Sequence, residues 1–492
     1  MKRMLRKLSP FIMSAVMVCY MMWAALPVSA ANYEIPGTCQ VQTDTGISRR
    51  VKTLDYSYEN NTYLSLRDMA VALKGTDKAF SLEIKKSAVS LNIGGEYAPV
   101  GTEEFFWENS ENPDITLRRN EFKVNGQDVY YYTMITKLPS GYYDCFMMAA
   151  DLAMILDTDI HVSEEGSVEI NTGEPFSVSP AELEQDGYFY GVNSVLVGDA
   201  GTGEIYYRYQ SDEAYPIAST TKLMTCLLTL EAISEGRLAP EEQVTVSEAA
   251  QTLAASSDGV LPLEAGQRIT VRELLLGALL PSSNECALCL AERIDGSEEA
   301  FVERMNQKAL DLGLSQAIFF NSHGLPYYTE EAVPAKCQNR MSAEDMFRLV
   351  SYLLKVYPQI TDMTSLKSAT LESLGREVRN TNPLLYNLPG VTGLKTGTTN
   401  KAGACLITSL PVDDGVMEHD LVVIVLGTED SIERGRVSGL LARYAMQAFA
   451  TGTEGVMDGE QSETGEALQT PGKLPVNAEA AVDCILRTAK KR

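Results

Sequence analysis

The sequence predicts an α+β protein of two unequal parts, a small repeat-bearing module followed by a larger α/β region. Two observations carry this. First, Tyr63-Leu-Ser-Leu-Arg-Asp-Met-Ala-Val-Ala-Leu-Lys74 aligns without gaps on Phe146-Met-Met-Ala-Ala-Asp-Leu-Ala-Met-Ile-Leu-Asp157. Each copy reads as a short helix with a central aspartate, Asp68 or Asp151, followed by two alternating segments: 80–84 with 89–93, and 160–162 with 168–170. A twice-used helix-plus-hairpin unit makes a small α+β domain. Second, the chain beyond residue 187 opens on strand-like runs at Ser194–Val197 and Glu204–Tyr207 and closes on apolar runs at Ala404–Thr408 and Leu421–Leu426. Helical patterning fills the space between. Short apolar runs bounded by turn residues are buried strands.

The boundaries follow from composition. At 492 residues the chain is long enough for two or three domains. Residues 1–30 read as a signal peptide. Lys2, Arg3, Arg6 and Lys7 precede an apolar run from Phe11 to Leu26, and Val28-Ser29-Ala30 offers small residues for a cut after Ala30. The competing reading is an uncleaved membrane anchor. The module then spans 32–174, a polar linker 175–187, the main domain 188–452, and a mostly disordered acidic tail 453–492. Formal net charge is −25, from 66 acidic and 41 basic residues. That balance excludes the basic footprint of a nucleic-acid binder and broad adsorption to anionic lipid.

Export permits disulfides, yet the eight cysteines left after cleavage form no dense framework. Cys286 and Cys289 make a C-x-x-C on a predicted helix with no second pair and no nearby histidine. They read as small core residues, so no metal and no cofactor are expected. His161 reads as a half-exposed strand residue.

Three fragments carry chemistry. Ser219-Thr-Thr-Lys222 heads an amphipathic run containing Leu223, Met224, Leu227, Leu228 and Leu230. Ser219 therefore sits near a helix start, with Lys222 one turn along the same face. A serine hydroxyl needs an adjacent base, and a lysine can serve only when neutral. Burial or a second cation lowers its pKa, and Lys395 is the candidate cation. Ser282-Ser-Asn284 follows an apolar stretch and reads as a loop between helices. Its hydroxyl suits proton relay to a leaving amine, and its amide suits gripping a substrate peptide group. Lys395-Thr396-Gly397-Thr398 reads as an edge strand. It offers charge, hydroxyls and a side-chain-free stretch, and the backbone N–H groups of Thr398 and Ser219 form a candidate oxyanion hole.

In this order and spacing the three fragments resemble the active site of the penicillin-binding and serine β-lactamase superfamily. The resemblance narrows further. Phe301-Val302, Met305-Asn306, Leu312-Gly-Leu314, Asn321-Ser-His-Gly-Leu325, Asn380-Thr-Asn-Pro-Leu-Leu385 and Gly393-Leu-Lys-Thr-Gly-Thr-Thr-Asn-Lys-Ala-Gly403 are similar to the low-molecular-mass D-alanyl-D-alanine carboxypeptidases. This implies a penicillin-binding/β-lactamase-like fold, an antiparallel sheet with helices. It implies an acyl-enzyme on Ser219, with Lys222 and Ser282 catalytic and Asn284, Lys395, Thr396, Gly397 and Thr398 binding substrate. The family's carboxylate-binding arginine falls on Arg434, with Arg436 as runner-up. The implied partners are peptidoglycan stem peptides ending in D-Ala-D-Ala, the cell wall, and β-lactams as inhibitors. His323, in the His-Gly-Leu turn, is expected to be structural. Some members carry a histidine where this chain has Thr398, so substrate preference is open. Many have a β-rich C-terminal domain, whereas the accessory module here comes first.

That module's Tyr-Leu-x-Leu-Arg-Asp-Met-Ala run resembles the stalk-like module named from copper amine oxidase N-termini, without copper ligands. It implies a spacer, and residues 32–174 are expected to be dispensable for chemistry. A Ser-His-Asp hydrolase is disfavoured, since there is no Gly-x-Ser-x-Gly elbow and the only histidines are His161, His323 and His419. A β-lactamase and a non-catalytic penicillin-sensing protein remain the alternatives. The balance of hydrolysis and transpeptidation is open, as is the oligomeric state.

Overall fold

The computed structural model describes residues 34–450 except 57–60, 102, 104–116, 130, 139, 164–166, 177–178, 186 and 329–335. The signal peptide and the acidic tail expected from sequence lie outside the described residues.

The larger region is organised by a five-stranded antiparallel sheet. Its order is Ile205–Tyr209, Ser194–Asp199, Glu418–Thr428, Gly403–Asp413, Gly393–Thr399. The apolar runs read from sequence form its centre, but the two long strands extend well beyond them. Past the runs they switch to alternation: Pro411 and Asp413 are exposed around buried Val412, and Glu418 and Asp420 around buried His419. A period-two pattern on a half-covered sheet end carries less signal than a continuous apolar run.

Both faces of this sheet are covered, and its side chains divide accordingly. Leu196, Cys405, Ile407, Val422, Ile424 and Leu426 point into a helical core. That core is built by helices Lys222–Ser234, Val271–Leu279, Asn284–Asp295, Glu298–Asp311 and Ala343–Val356. Side-chain caps fix most of these starts: Thr270 with Glu273 makes a capping box, and Ser283, Ser297 and Ser342 each accept a backbone N–H three residues on. On the other face Val195, Val197, Leu406, Leu410, Val423 and Val425 lie against the C-terminal helix Ser431–Ala450.

The N-terminal module holds two sheets. The first has eight strands, in the order 159–162, 168–171, 34–43, 48–56, 61–65, 143–148, 132–137, 117–119. The second has four, from strands 80–84, 88–93, 121–124 and 127–129. The internal repeat is visible as a pseudo-twofold. Strands Asn61–Ser65 and Tyr143–Met148 pair antiparallel, with the equivalent residues Leu64 and Met147 opposite one another. Each strand runs directly into its helix, Leu66–Ala72 or Ala149–Leu156, and each helix is followed by a hairpin. Reading both repeats as helix from their first residue was wrong by three residues. Tyr63–Ser65 and Phe146–Met148 are buried strand ends, and continuous burial hides the change of period.

A buried ion cluster fixes the module's centre. Lys52 Nζ lies 2.7 Å from Asp68 Oδ1 and 3.7 Å from Asp144 Oδ2, all fully buried. Ser65 caps its helix and donates to Asp144 at 2.9 Å. Burial raises the Asp68 carboxyl to about 7, with the Lys52 charge opposing. His161 lies exposed in its strand.

The module does not stand apart as a spacer would. Its buried Leu152, Ala153 and Leu156 belong to the same continuous core as Val437, Leu440, Leu441 and Phe449 of the C-terminal helix. The segment read as a polar linker carries a helical turn, Pro180–Gln185, and buries Phe176 and Leu183 in that core. The expectation that residues 32–174 are dispensable for chemistry meets this packing: their removal would expose one face of the C-terminal helix.

Candidate active site

The turn that carries Ser219 has a strained backbone. Ser219 sits in a 3₁₀ turn, Ala218–Thr221, that feeds helix Lys222–Ser234. The residue before it, Ala218, has φ of +47°, a conformation that costs an L-residue about 1 kcal/mol or more. Two glycines permit the packing around this turn. A Cβ on Gly324 (φ +94°), in the His-Gly-Leu turn, would lie 2.0 Å from Ala218 O. A Cβ on Gly397 would lie 2.9 Å from Ile217 O and 3.0 Å from Ser219 N. Gly397 thus lets the edge strand lie directly against the nucleophile turn. Sequence reasoning assigned that closeness to substrate; the structure gives it to the protein's own backbone.

Lys222 is completely buried and donates to three oxygens: Ser219 Oγ at 2.8 Å, Asn284 Oδ1 at 2.8 Å and His323 O at 2.9 Å. Burial pushes its pKa down to about 7, and the Glu285 carboxylate opposes that. At neutral pH a large fraction is therefore the free amine that a general base must be.

Asn284 opens helix Asn284–Asp295. Its amide is shared between Lys222 and Asp258 O, which accepts from Nδ2 at 2.8 Å. The next residue, Glu285, is fully buried. Its Oε1 accepts from Val260 N at 3.1 Å and from Leu261 N. Residues 284 and 285 together clamp the 258–261 loop beside the lysine. Ser282 lies two residues before Asn284, half-buried, with φ of +67°.

The strand Gly393–Thr399 lies at the sheet edge, as expected. Lys395 is buried and donates to Thr396 O at 3.0 Å. Burial, and then the charge of Lys222, push Lys395 well below its ordinary value. The two ammonium groups therefore compete, and burial is the leading cause of the lowering at Lys222. Thr396 Oγ1 lies 2.5 Å from Thr381 Oγ1, and Thr398 is exposed.

Arg434 is the arginine that reaches this strand. Its Nη1 lies 3.0 Å from Thr398 Oγ1 and 3.3 Å from Gly397 O. Arg436, the runner-up, points the other way and contacts Met148 and the Tyr188 ring.

Sequence reasoning missed several supports. The backbone oxygen of His323 is a ligand of Lys222. Its imidazole is pushed down to about 3 by burial and then by the Lys222 charge, so it is neutral, and its Nδ1 accepts from Leu325 N at 3.2 Å. Asn339 ties Thr221 Oγ1 to Asn321 O at 3.0 and 2.9 Å. Glu285 and the 258–261 loop carry no motif at all. The fragment Asn321–Leu325 was visible as a family signature, but its contact with Ala218 was not. Cys286 and Cys289 are buried free thiols whose pKa values burial raises, and among the described residues no cluster could hold a metal ion. No described helix is long and apolar enough to cross a membrane.

Residues 189–429 match the family model of D-alanyl-D-alanine carboxypeptidases. The chain is 36% identical over 265 residues to the D-alanyl-D-alanine carboxypeptidase DacF of Bacillus subtilis, covering 52% of this chain and 63% of that relative. It therefore spans less than two thirds of that relative's length. A D-alanyl-D-alanine carboxypeptidase of a Streptomyces species is 30% identical, covering 42% of this chain and 72% of the relative. Among solved structures, a peptidoglycan synthesis regulatory factor of Streptococcus pneumoniae is 30% identical with a TM-score of 0.48, covering 53% of this chain and 71% of the other. In this chain Ser219, buried Lys222, the Ser282–Asn284 loop and the edge strand all lie within the matched residues, and the chain belongs to the D-alanyl-D-alanine carboxypeptidase family of serine peptidases.

Proposed function

We propose that the protein is a serine-type D-Ala-D-Ala carboxypeptidase that trims peptidoglycan stem peptides through an acyl-enzyme on Ser219. The observation that carries this is the lysine: Lys222 is fully buried, 2.8 Å from Ser219 Oγ, with a pKa near neutrality.

The reading runs in these steps. Neutral Lys222 accepts the Ser219 proton as Oγ attacks the carbonyl carbon of the penultimate D-alanine. The developing oxyanion sits between the backbone N–H groups of Ser219 and Thr398, a reading supported by the close approach of neighbouring Gly397 to Ser219 N. The leaving amine takes its proton from Lys222 by way of Ser282. Water then attacks the ester, with Lys222 again as base, and the shortened peptide leaves. Arg434 and the Thr398 hydroxyl sit where the terminal carboxylate of an extended substrate would lie along the edge strand. β-Lactams offer a strained ring amide and a carboxylate in their place; Oγ attack opens the ring C–N bond, the nitrogen takes the proton and stays tethered, and the acyl-enzyme on Ser219 inhibits. The reading extends to a secreted enzyme on the wall side of the membrane, directed by residues 1–30, with a stalk-like N-terminal module.

Mass spectrometry of a synthetic stem pentapeptide incubated with enzyme tests this. Release of one D-alanine is expected, and Ser219→Ala abolishes it. Rapid hydrolysis of penicillin with no release of D-alanine would make the protein a β-lactamase instead.

A further inference from the structure

We propose that the N-terminal module is a working part of the catalytic unit: through Arg436 it holds the first turn of the C-terminal helix and so positions Arg434 for the substrate carboxylate. This rests on the carboxypeptidase reading above.

The helix Ser431–Ala450 is shared by two clients. Successive residues turn by about 100°, so positions 434 and 436 lie about 200° apart, on opposite sides. Arg434 faces the edge strand, bonded to Thr398 Oγ1 and Gly397 O. Arg436 faces the module. Its guanidinium meets Met148 at the end of a module strand, lies 4.9 Å from the centre of the Tyr188 ring, and pairs with Glu433 in its own helix. Burial works against the Arg436 cation. The carboxylates of Glu433 and then Asp151 outweigh it and hold the group charged.

The contact is a stripe and not a point. Arg443 and Gln447 fall on the same face as Arg436, seven and eleven residues on. Both reach Asp157, which closes the module helix Ala149–Leu156: Arg443 Nη2 at 2.5 Å and Gln447 Nε2 at 2.8 Å. Lys78 of the module donates to Asp157 O at 2.5 Å.

The internal repeat shows what the module gains. In the first copy Asp68 is neutralised within the module, by Lys52. In the second copy the equivalent Asp151 is fully buried and interacts with a cation from the other domain, Arg436. The second copy of its helix thus lies against the C-terminal helix of the large region. Two residues separate that contact from Arg434, and one short turn cannot shift at 436 without shifting at 434.

Arg436 is thus a positioning residue, and its effect is specific to substrates that use Arg434. The test compares a blocked peptide ending in D-Ala-D-Ala with the same peptide as its C-terminal carboxamide, on the full chain. The variants are Arg436→Met, Arg436→Lys and Asp151→Asn. Circular dichroism and thermal melting check that each is folded. Wild type prefers the free carboxylate. Arg436→Met is expected to lose about tenfold in kcat/KM on the carboxylate substrate, mainly through KM, while carboxamide turnover stays within about twofold. Arg436→Lys retains part of the preference, since it keeps the charge without the planar fork. Asp157→Asn, at the far end of the stripe, loosens docking without touching the first turn and backs up the series if Arg436→Met fails to fold. A smaller loss of the same preference is expected from it. An equal fall on both substrates, or no change in preference in any folded variant, overturns the proposal. If wild type is acylated by penicillin but cleaves neither peptide, the substrate reading fails. The positioning role is then read from acylation by penicillin and by its methyl ester, with the same outcomes.

Discussion

The pH dependence of acylation is where the buried lysine makes its sharpest demand. A lysine at its ordinary value of 10.5 would be neutral in roughly one molecule in 3,000 at pH 7. With its pKa pushed down to about 7, the neutral fraction is about one half. That is a gain of about 10³ in competent base, equivalent to roughly 4 kcal/mol. The origin is burial, and the three oxygens around Nζ hold the amine in place without forcing it to stay charged. The acylation rate should therefore rise about tenfold per pH unit on the acid side and level off above about pH 7. Stopped-flow labelling with a fluorescent penicillin between about pH 5 and about pH 9 measures it. Because Lys395 shares the buried site, the midpoint belongs to the pair. A rate that is flat over this range, or that still climbs about tenfold per unit up to about pH 9 with no plateau, refutes Lys222 as the neutral base. Stability carries the same signature. The folded pKa is depressed, so the unfolded chain binds more protons between about pH 7 and about pH 10.5, and this group's contribution to stability rises with pH across that window.

Glu285→Gln removes the carboxylate that favours the Lys222 cation, so the acid limb of the same profile should move to lower pH; an upward shift would contradict the geometry. Gly397→Ala places a Cβ against backbone at Ile217 and Ser219, and a displacement of the order of 1 Å should cost about 100-fold in acylation, with a melting temperature little changed. Wild-type labelling rates in that variant would show that the strand has room to give. In the module, Lys52→Met leaves Asp68 and Asp144 buried without their cation and should destabilise by about 3–5 kcal/mol, read by denaturant unfolding, with partial recovery on adding Asp68→Asn.

Much of the site was legible because its chemistry requires particular residues at fixed spacing. Ser219 and Lys222 are one turn apart, and their hydroxyl-to-amine contact follows from that alone. The edge strand and its glycine were equally plain, while Arg434 came from the family resemblance, and the structure sets it beside Thr398 and Gly397. Other parts depended on surroundings that no motif records. The lowering of Lys222 comes from a sealed interior, which the sequence shows only as apolar runs. Glu285 reads as an ordinary helix-start carboxylate until the 258–261 loop is seen folded over it. In the fold, the helix-plus-hairpin repeat was visible through its matched apolar positions. The strands 34–43 and 48–56, which complete the large module sheet, were not, because their half-exposed, polar-rich patterns resemble loop.

The separation of the chain into chemistry and spacer was the inference that sequence order made most tempting and that packing least supports. All the catalytic types lie after residue 187, so a division there looked natural. Yet the sheet behind the active site has two faces, and a five-stranded sheet in a domain of this kind must cover both. Helices of the large region cover one face. The other is covered by the C-terminal helix, whose outward side mixes charged, apolar and amide groups: Arg436, Leu440, Arg443 and Gln447. That side is finished by the module. The same helix begins three residues before Arg434. Removing the module therefore does more than shorten the protein's reach: it leaves the guanidinium of Arg436 without the module groups that now meet it, in the turn that also carries Arg434.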